Sequence, residues 1–215
     1  MRIVCISDTH GFHRKLEVPD ADLLIHAGDF MVHGRTVDEI DDFNDWLGDL
    51  PHKQKIVIAG NHDLLFESNP QEAKLHLSSA TYLENSAATV NGFRFWGCPI
   101  TSVLSHMAFA VERGAASGLF WDRIPAETDV LVTHGPPFGI LDKESILATH
   151  MGCERLTKAV LGISPLLHVF GHVHGGYGRE AGPNGTRFVN CALFNGDGLR
   201  APVVVDIDQK QNRMQ

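Results

Sequence analysis

The stretch Leu24-Ile25-His26-Ala27-Gly28-Asp29 contains the pattern on which the fold is built. Leu23 to Ile25 is an apolar run as long as a buried strand, and a glycine followed by a carboxylate ends it. Gly28 permits a sharp turn, so Asp29 is presented just beyond the carboxyl end of the strand, where open α/β sheets bind ligands. Taken alone, the pattern favours an ordinary turn or helix N-cap aspartate, because Gly-Asp is common at strand ends.

The same pattern recurs in four other places. Apolar runs over 3–6, 55–59, 129–133 and 166–170 each end in polar side chains of types that bind metals. These are Asp8 with His10, Asn61 with His62, His134, and His172 with His174. We expect all five strand ends to stop at one edge of a β-sandwich, with Asp29 bridging two metal ions.

Other histidines do not follow this pattern. The chain has 13 in 215 residues, and those inside predicted strands, His26 and His168, are expected in the core or behind the site. The remaining ones are predicted to lie at the surface: His13, His33, His52, His76, His106 and His150.

The segments between the strand ends indicate a mixed α/β fold. Apolar residues recur every three or four positions over 37–47, which predicts an amphipathic helix with a solvated acidic face. The Asn91-Gly92 pair predicts a tight hairpin, and hairpin strands are antiparallel, so the sheets are expected to be mixed. Helices are predicted at 70–77 and 153–161, with closing strands at 187–191 and 202–207.

Composition limits the class of protein. The formal net charge is −8, so the chain lacks a general attraction for extended nucleic acid. No apolar run is long enough to span a membrane, and the four cysteines lack C-x-x-C spacing, which predicts free thiols in a cytoplasmic protein. We expect one domain over 1–208 and a frayed tail over 209–215. The pattern does not predict the oligomeric state.

The motifs, taken in order, resemble those of the calcineurin-like metallophosphoesterase superfamily. They are Asp8-x-His10, Gly28-Asp29, Gly60-Asn61-His62-Asp63, His134-Gly135 and Gly171-His172-x-His174. Stretches 24–30, 133–137 and 169–178 further resemble its small metallophosphoesterase-domain-containing branch. The resemblance implies a four-layer α/β/β/α sandwich with two mixed β-sheets.

The resemblance also implies a dinuclear metal centre. Carried over position by position, the first ion would take Asp8, His10, Asp29 and His174, and the second Asp29, Asn61, His134 and His172. Carboxylate, imidazole and amide ligands without cysteine suit divalent manganese, iron or zinc. The histidine of the Gly-Asn-His motif, here His62, would protonate the leaving group, and Asp63 either orients His62 or forms a solvent-facing helix N-cap.

The charge of such a centre suits a small phosphate ester. Two divalent ions less Asp8, Asp29 and a bridging hydroxide leave roughly one positive charge. We predict a phosphodiesterase that hydrolyses cyclic nucleotides or other small phosphodiesters by attack of the metal-bridging hydroxide. A phosphomonoesterase and a non-catalytic binding module on the same fold are the alternatives. The protein-phosphatase branch has an aspartate and an arginine where this chain has Val32 and His33, so a phosphoserine phosphatase is disfavoured. His33 or Arg35 could take the place of that arginine.

Overall fold

The computed structural model describes residues 1–102, 107–144 and 149–208. The predicted surface position of His106 and the predicted tail over 209–215 lie outside these residues. Within the described ranges, every helix is too short or too polar to cross a bilayer.

The described chain alternates strands and helices along most of its length. The strands are β1 (Arg2–Ile6), β2 (Leu23–Ala27), β3 (Gln54–Ile58), β4 (Thr81–Tyr82), β5 (Ser86–Val90), β6 (Phe93–Cys98), β7 (Thr101–Ser102), β8 (Ala110–Val111), β9 (Val130–Thr133), β10 (Leu167–Phe170), β11 (Gly178–Ala181), β12 (Arg187–Asn190) and β13 (Val203–Asp206). The helices are α1 (Val37–Asp49), α2 (Leu64–Ser68), α3 (Pro70–His76), α4 (Ala115–Trp121) and α5 (Glu154–Ile163), with 3₁₀ turns at His13–Lys15 and His174–Gly176.

The strands form two large mixed sheets, as predicted. The first has the order β13-β1-β2-β3-β4, and its edge strand β13 is antiparallel to its neighbour while the others run parallel. The second has the order β11-β12-β10-β9-β6-β5, with antiparallel strands at both edges. The hairpin predicted at Asn91-Gly92 joins β5 to β6, and both residues have positive φ, as such turns require.

The central strands are apolar on both faces, because each face is covered. In β1, Ile3 and Cys5 belong to the core between the sheets, whereas Val4 and Ile6 belong to the outer core with Phe43 of α1. Leu156 and Val160 of α5 pack in the outer core on the second sheet. Helices therefore cover both outer faces, and the four-layer α/β/β/α sandwich is confirmed.

Two histidines predicted at the surface are buried instead. His13 packs against the rings of Phe43 and Trp46, and its Nε2 is 3.0 Å from a carboxylate oxygen of Asp42. His52 is also buried, and its Nε2 is 2.9 Å from the carbonyl oxygen of Pro19. Both stand outside the periodic segments, where apolar spacing gives no sign of burial.

Candidate metal centre

All seven predicted ligands gather at the carboxyl edge of the two sheets. β1, β2 and β3 present Asp8 with His10, Asp29, and Asn61, while β9 and β10 present His134 and His172 with His174. Their ligand atoms form clusters in which every pair lies within 4.8 Å: Asp8, His10 and His174; Asp29, His134 and His172; and His10, Asp29 and His62. The last cluster adds His62, which the sequence predicted as an acid rather than a ligand.

Asp29 stands where the clusters meet. Its Oδ2 is 3.3 Å from His134 Nε2 and 4.0 Å from His10 Nε2. Its Oδ1 accepts a hydrogen bond of 2.7 Å from the backbone N–H of His62. Oδ2 is thus the oxygen that faces both His134 and His10, which is the position that a ligand shared by two ions would take.

Asp8 is buried and heavily hydrogen-bonded. It accepts bonds from the Ser7 hydroxyl at 2.6 Å and the His172 backbone N–H at 3.0 Å, and His174 Nε2 lies 3.2 Å away. Burial alone would raise the pKa of Asp8, but His174 and the neighbouring His134 and His10 hold it well below the usual range. Asp8 therefore stays ionised and ready to bind a cation.

His134 is oriented by the other sheet. Its Nδ1–H donates to the Ala27 carbonyl oxygen at 2.8 Å, which leaves Nε2 toward Asp29 and toward Asn61 Oδ1 at 3.0 Å. Such a bond fixes the face that a ligand histidine presents to a metal. Burial would lower the pKa of His134, but the Asp29 carboxylate raises it to about 9.

His172 provides the test of whether a cation fits. Its Nε2 is buried without a hydrogen-bond partner among the described residues, although its ring centroid lies 5.1 Å from that of His134. Burial lowers the pKa of His172 to about 4, so the ring is neutral near pH 7 and keeps a lone pair for a metal. A neutral imidazole whose buried Nε2 faces ionised carboxylates fits a divalent ion of the borderline type.

Glycines precede three of the ligands because a side chain would collide there. Gly28 has φ +96°, which fits its predicted turn. A Cβ on Gly60 would lie 2.2 Å from Asp29 Oδ1, and one on Gly171 would lie 2.2 Å from Asp8 Oδ2. The glycine of each pair is therefore needed for close approach to a ligand carried by another strand.

The backbone at the site is strained. Asp8, His10, Asp29 and His172 have φ of +55°, +43°, +59° and +66°, in the left-handed region that non-glycine residues seldom occupy. Such residues cost roughly 1–3 kcal/mol each and persist where the surroundings hold them. Four of the seven predicted ligands thus have a strained backbone conformation, and the rest of the fold supplies the free energy that holds it.

Asp63 supports the backbone beneath Asp29. It is fully buried, and its carboxylate accepts N–H bonds from Asp29 at 2.9 Å, Gly60 at 2.7 Å and Met31 at 3.0 Å. Burial and the charge of Asp29 raise the pKa of Asp63 to about 8. Asp63 is the N-cap residue of α2, as one alternative predicted, but its side chain is buried instead of solvent-facing and makes no cap hydrogen bond. Its bonds run to backbone N–H groups rather than to the His62 ring.

His62 lies at the mouth of the site. Its ring is partly exposed and meets the His10 ring edge-on, with centroids 4.7 Å apart. This position suits a group that meets both solvent and a bound ester. Its role as the acid remains a prediction.

One supporting residue was missed by the sequence analysis. Asn190 ends β12 and is buried, and its amide donates to the carbonyl oxygens of Leu141 and Val173, both at 2.9 Å. It thereby fixes the turn that carries His172 and His174. The signal was present, since Asn190 is one more polar residue at a strand end.

Comparison with known proteins places the chain among phosphoesterases. The family model described as calcineurin-like phosphoesterase matches residues 1–176, which include every predicted ligand. Metallophosphoesterase domain-containing protein 1 of Homo sapiens is 38% identical over 237 residues, an alignment that covers 98% of this chain and 72% of that protein. The Mus musculus protein of the same name aligns with the same values.

Solved structures support the fold at low sequence identity. TT1561 of Thermus thermophilus aligns with a TM-score of 0.60 at 15% identity, covering 89% of this chain and 90% of that one. GAP50 of Plasmodium aligns with a TM-score of 0.51 at 12% identity, covering 90% of this chain and 71% of that one.

Proposed function

Because the chain belongs to the calcineurin-like phosphoesterase family, a dimetal-dependent family, we propose that it is a phosphodiesterase acting on cyclic nucleotides or other small phosphodiesters. Asp8, His10, Asp29 and His174 would hold one divalent ion, and Asp29, Asn61, His134 and His172 the other. Bound ions would supply Lewis acidity at the phosphoryl group and a water nucleophile that is active near neutral pH. Manganese, iron and zinc all suit this donor set.

The chain itself contributes orientation and a proton. Asp29 and Asp8 are ionised and fixed by N–H donors, so they need little rearrangement on binding. His134 and Asn61 are held against each other, as described above. His62 would give a proton to the leaving oxygen, a contribution worth typically 10²–10⁴-fold for general acids.

His33 is the observation that favours a diester over a monoester. It stands where the protein-phosphatase branch has an arginine, and it is exposed, as is its neighbour Val32, which lies beside Gly11 at the rim. The carboxylate of Glu39 accepts the backbone N–H groups of Val32 and His33, which adds negative rather than positive charge to this loop. A loop with an imidazole in place of a guanidinium suits the single charge of a diester better than the double charge of a monoester.

The proposed partner is a small phosphate ester in solution. The overall charge of −8 disfavours extended nucleic acid, and we propose no membrane partner. Cytoplasmic residence stays a prediction from the sequence.

A substrate panel tests the proposal. Purified protein loaded with manganese would be assayed on bis-p-nitrophenyl phosphate, p-nitrophenyl phosphate, and the 2′,3′- and 3′,5′-cyclic nucleotides. We expect the diesters to have the higher kcat/KM. Dominant turnover of the monoester throughout would replace the diesterase with a phosphomonoesterase. Absence of both metal binding and hydrolysis would favour the non-catalytic binding module.

A further inference from the structure

We propose that Phe12 and Phe194, here called the aromatic wall, bind a planar aromatic ring carried by the phosphate ester. The proposal rests on the function proposed above and names a feature of its substrate. The two rings are parallel within 7°, and their centroids are 5.9 Å apart. With Lys15 and the turn over 196–199, they line a cavity of about 330 Å³.

The aromatic wall begins at the metal centre. The Phe194 centroid lies 5.5 Å from that of His10 and 5.9 Å from that of His174, and both contacts are edge-on. These histidines are two of the ligands assigned to the first ion. Phe12 follows His10 by two residues in the loop after β1. A ring on the wall would therefore be a few bonds from a phosphorus held by that ion.

The Phe194 side of the wall is fixed in place. The Leu193 N–H donates to the Ser7 carbonyl oxygen at 3.0 Å, one residue before Asp8. The Arg200 guanidinium donates to the carbonyl oxygens of Ala192 and Phe194, both at 3.1 Å. Because the loop is already ordered, binding a ring there would cost little further conformational entropy.

The surface of the aromatic wall suits planar rings in general and does not select one ring over another. Phe12 is 40% exposed, so part of a large apolar ring stands open to solvent beside the site. The Lys15 ammonium lies over the Phe12 ring, 4.7 Å from its centroid, and brings a positive charge to the cavity. Phenylalanine faces stack on any planar π system, including a nucleobase, without reading its hydrogen-bonding edge.

A matched pair of ligands tests the stacking. Isothermal titration calorimetry on the metal-loaded protein would compare the monomethyl esters of 2-phenylethylphosphonate and 2-cyclohexylethylphosphonate, which have the same linker and carry the single charge of a phosphodiester. The cyclohexyl ring is the more hydrophobic, so a preference for phenyl requires stacking. We expect phenyl to bind roughly tenfold more tightly, as one stacked ring provides.

Variants assign the preference to the wall. Phe12→Leu, at an exposed position, and Phe194→Leu should each bring the ratio of the phenyl and cyclohexyl affinities close to one. The ratio is taken within each variant, so a change in affinity for the shared phosphonate group cancels. Phe138→Leu is the control, because Phe138 is 37% exposed and contacts His150 instead of the wall. It should keep the phenyl preference.

The outcomes separate this proposal from the one on which it rests. Binding of both ligands without a phenyl preference, or with a preference that both leucine variants keep, would overturn the aromatic wall and leave the phosphoesterase proposal standing. The same holds if the diesters of the substrate panel are hydrolysed while the phenyl ligand does not bind. If neither ligand binds the metal-loaded protein and no ester of the panel is hydrolysed, the proposed function fails, and the wall proposal fails with it.

Discussion

One histidine lies inside β10 and another just beyond its end, and the two have different surroundings. His168 lies inside the strand against Phe170 and Phe188, its Nε2 pairs with the Thr133 hydroxyl at 2.8 Å, and its Nδ1 is buried without a partner among the described residues. His172 lies two residues beyond the strand, against His134, and its Nε2 is unpaired within the part of the chain that the structure describes. Burial lowers the pKa of both, to about 3 and about 4. A lowered pKa and an unpaired buried nitrogen therefore do not distinguish a predicted ligand from a core histidine, whereas position relative to the strand end does.

The largest effect is expected at Asp29, the strand-end residue shared by both ions. Asp29→Asn should lower metal content from two ions per chain to nearly none and abolish hydrolysis, because the amide removes the shared negative charge. Metal analysis by mass spectrometry after gel filtration measures this. Asp142→Asn is the control, since Asp142 is equally buried but accepts its bonds from Gly139, Gly152 and His150. It should keep both ions. Full occupancy in Asp29→Asn would contradict the bridging role.

Substitution of the two β10 histidines tests the comparison itself. His172→Ala should lower the affinity for one of the two ions by more than the roughly 10–100-fold that loss of a supporting residue causes. His168→Gln should leave metal affinity unchanged and lower the free energy of unfolding by about 1–3 kcal/mol, through the disturbed bond to Thr133. Metal titration and urea denaturation provide the two measurements. Equal loss of metal in both variants would erase the distinction between strand end and interior.

His62 tests whether every strand-end histidine is a ligand. His62→Ala should retain both ions and slow hydrolysis of alkyl esters by roughly 10²–10⁴-fold, while nitrophenyl esters, whose leaving groups need no proton, change little. Parallel kinetics on the two ester types, with metal content measured on the same samples, checks this. Loss of an ion would instead make His62 a ligand, as its cluster with His10 and Asp29 allows.

The smallest effect concerns protons. The pKa of His134 is raised to about 9 by Asp29, so at pH 7 the side chain is charged and must lose its proton to bind a metal. Metal affinity should therefore rise with pH between 7 and 9, by up to about tenfold per pH unit. Calorimetry at pH 7 in buffers of different ionisation enthalpy should detect proton release, which His134→Gln should reduce. Release unchanged in that variant would assign the proton elsewhere.

The sequence predicted the candidate metal ligands better than the residues that support them. Asp8, Asp29, Asn61 and the histidines were found because the strands are apolar on both faces and end abruptly in polar residues. The burial of Asp63 was not predicted, because two of its three partners are backbone N–H groups on the loop after β2, and no side-chain pattern marks those. The burial of His13 and His52 was not predicted either, because tertiary packing alone buries them.

The short elements escaped the pattern as well. α2 and β11 are five and four residues long, too short for periodicity to show. The outward-facing polar residues of β11 also gave no apolar run. Periodicity predicts elements that bury one face, and it does not predict exposed strands that are stabilised by pairing with a neighbouring strand.

The bond between His134 and Ala27 has a consequence for how the protein matures. It joins residues 107 apart in sequence, and Asp8 meets His174 across 166 residues. During synthesis Asp8, His10, Asp29 and Asn61 leave the ribosome well before the histidines of β10, and such long-range contacts form late in folding. A nascent chain therefore carries half of the site, with both carboxylates, before the imidazoles of His134, His172 and His174 are made. Binding of two ions is therefore expected as a final step of folding. A chain that holds both ions stably would be one that has folded completely.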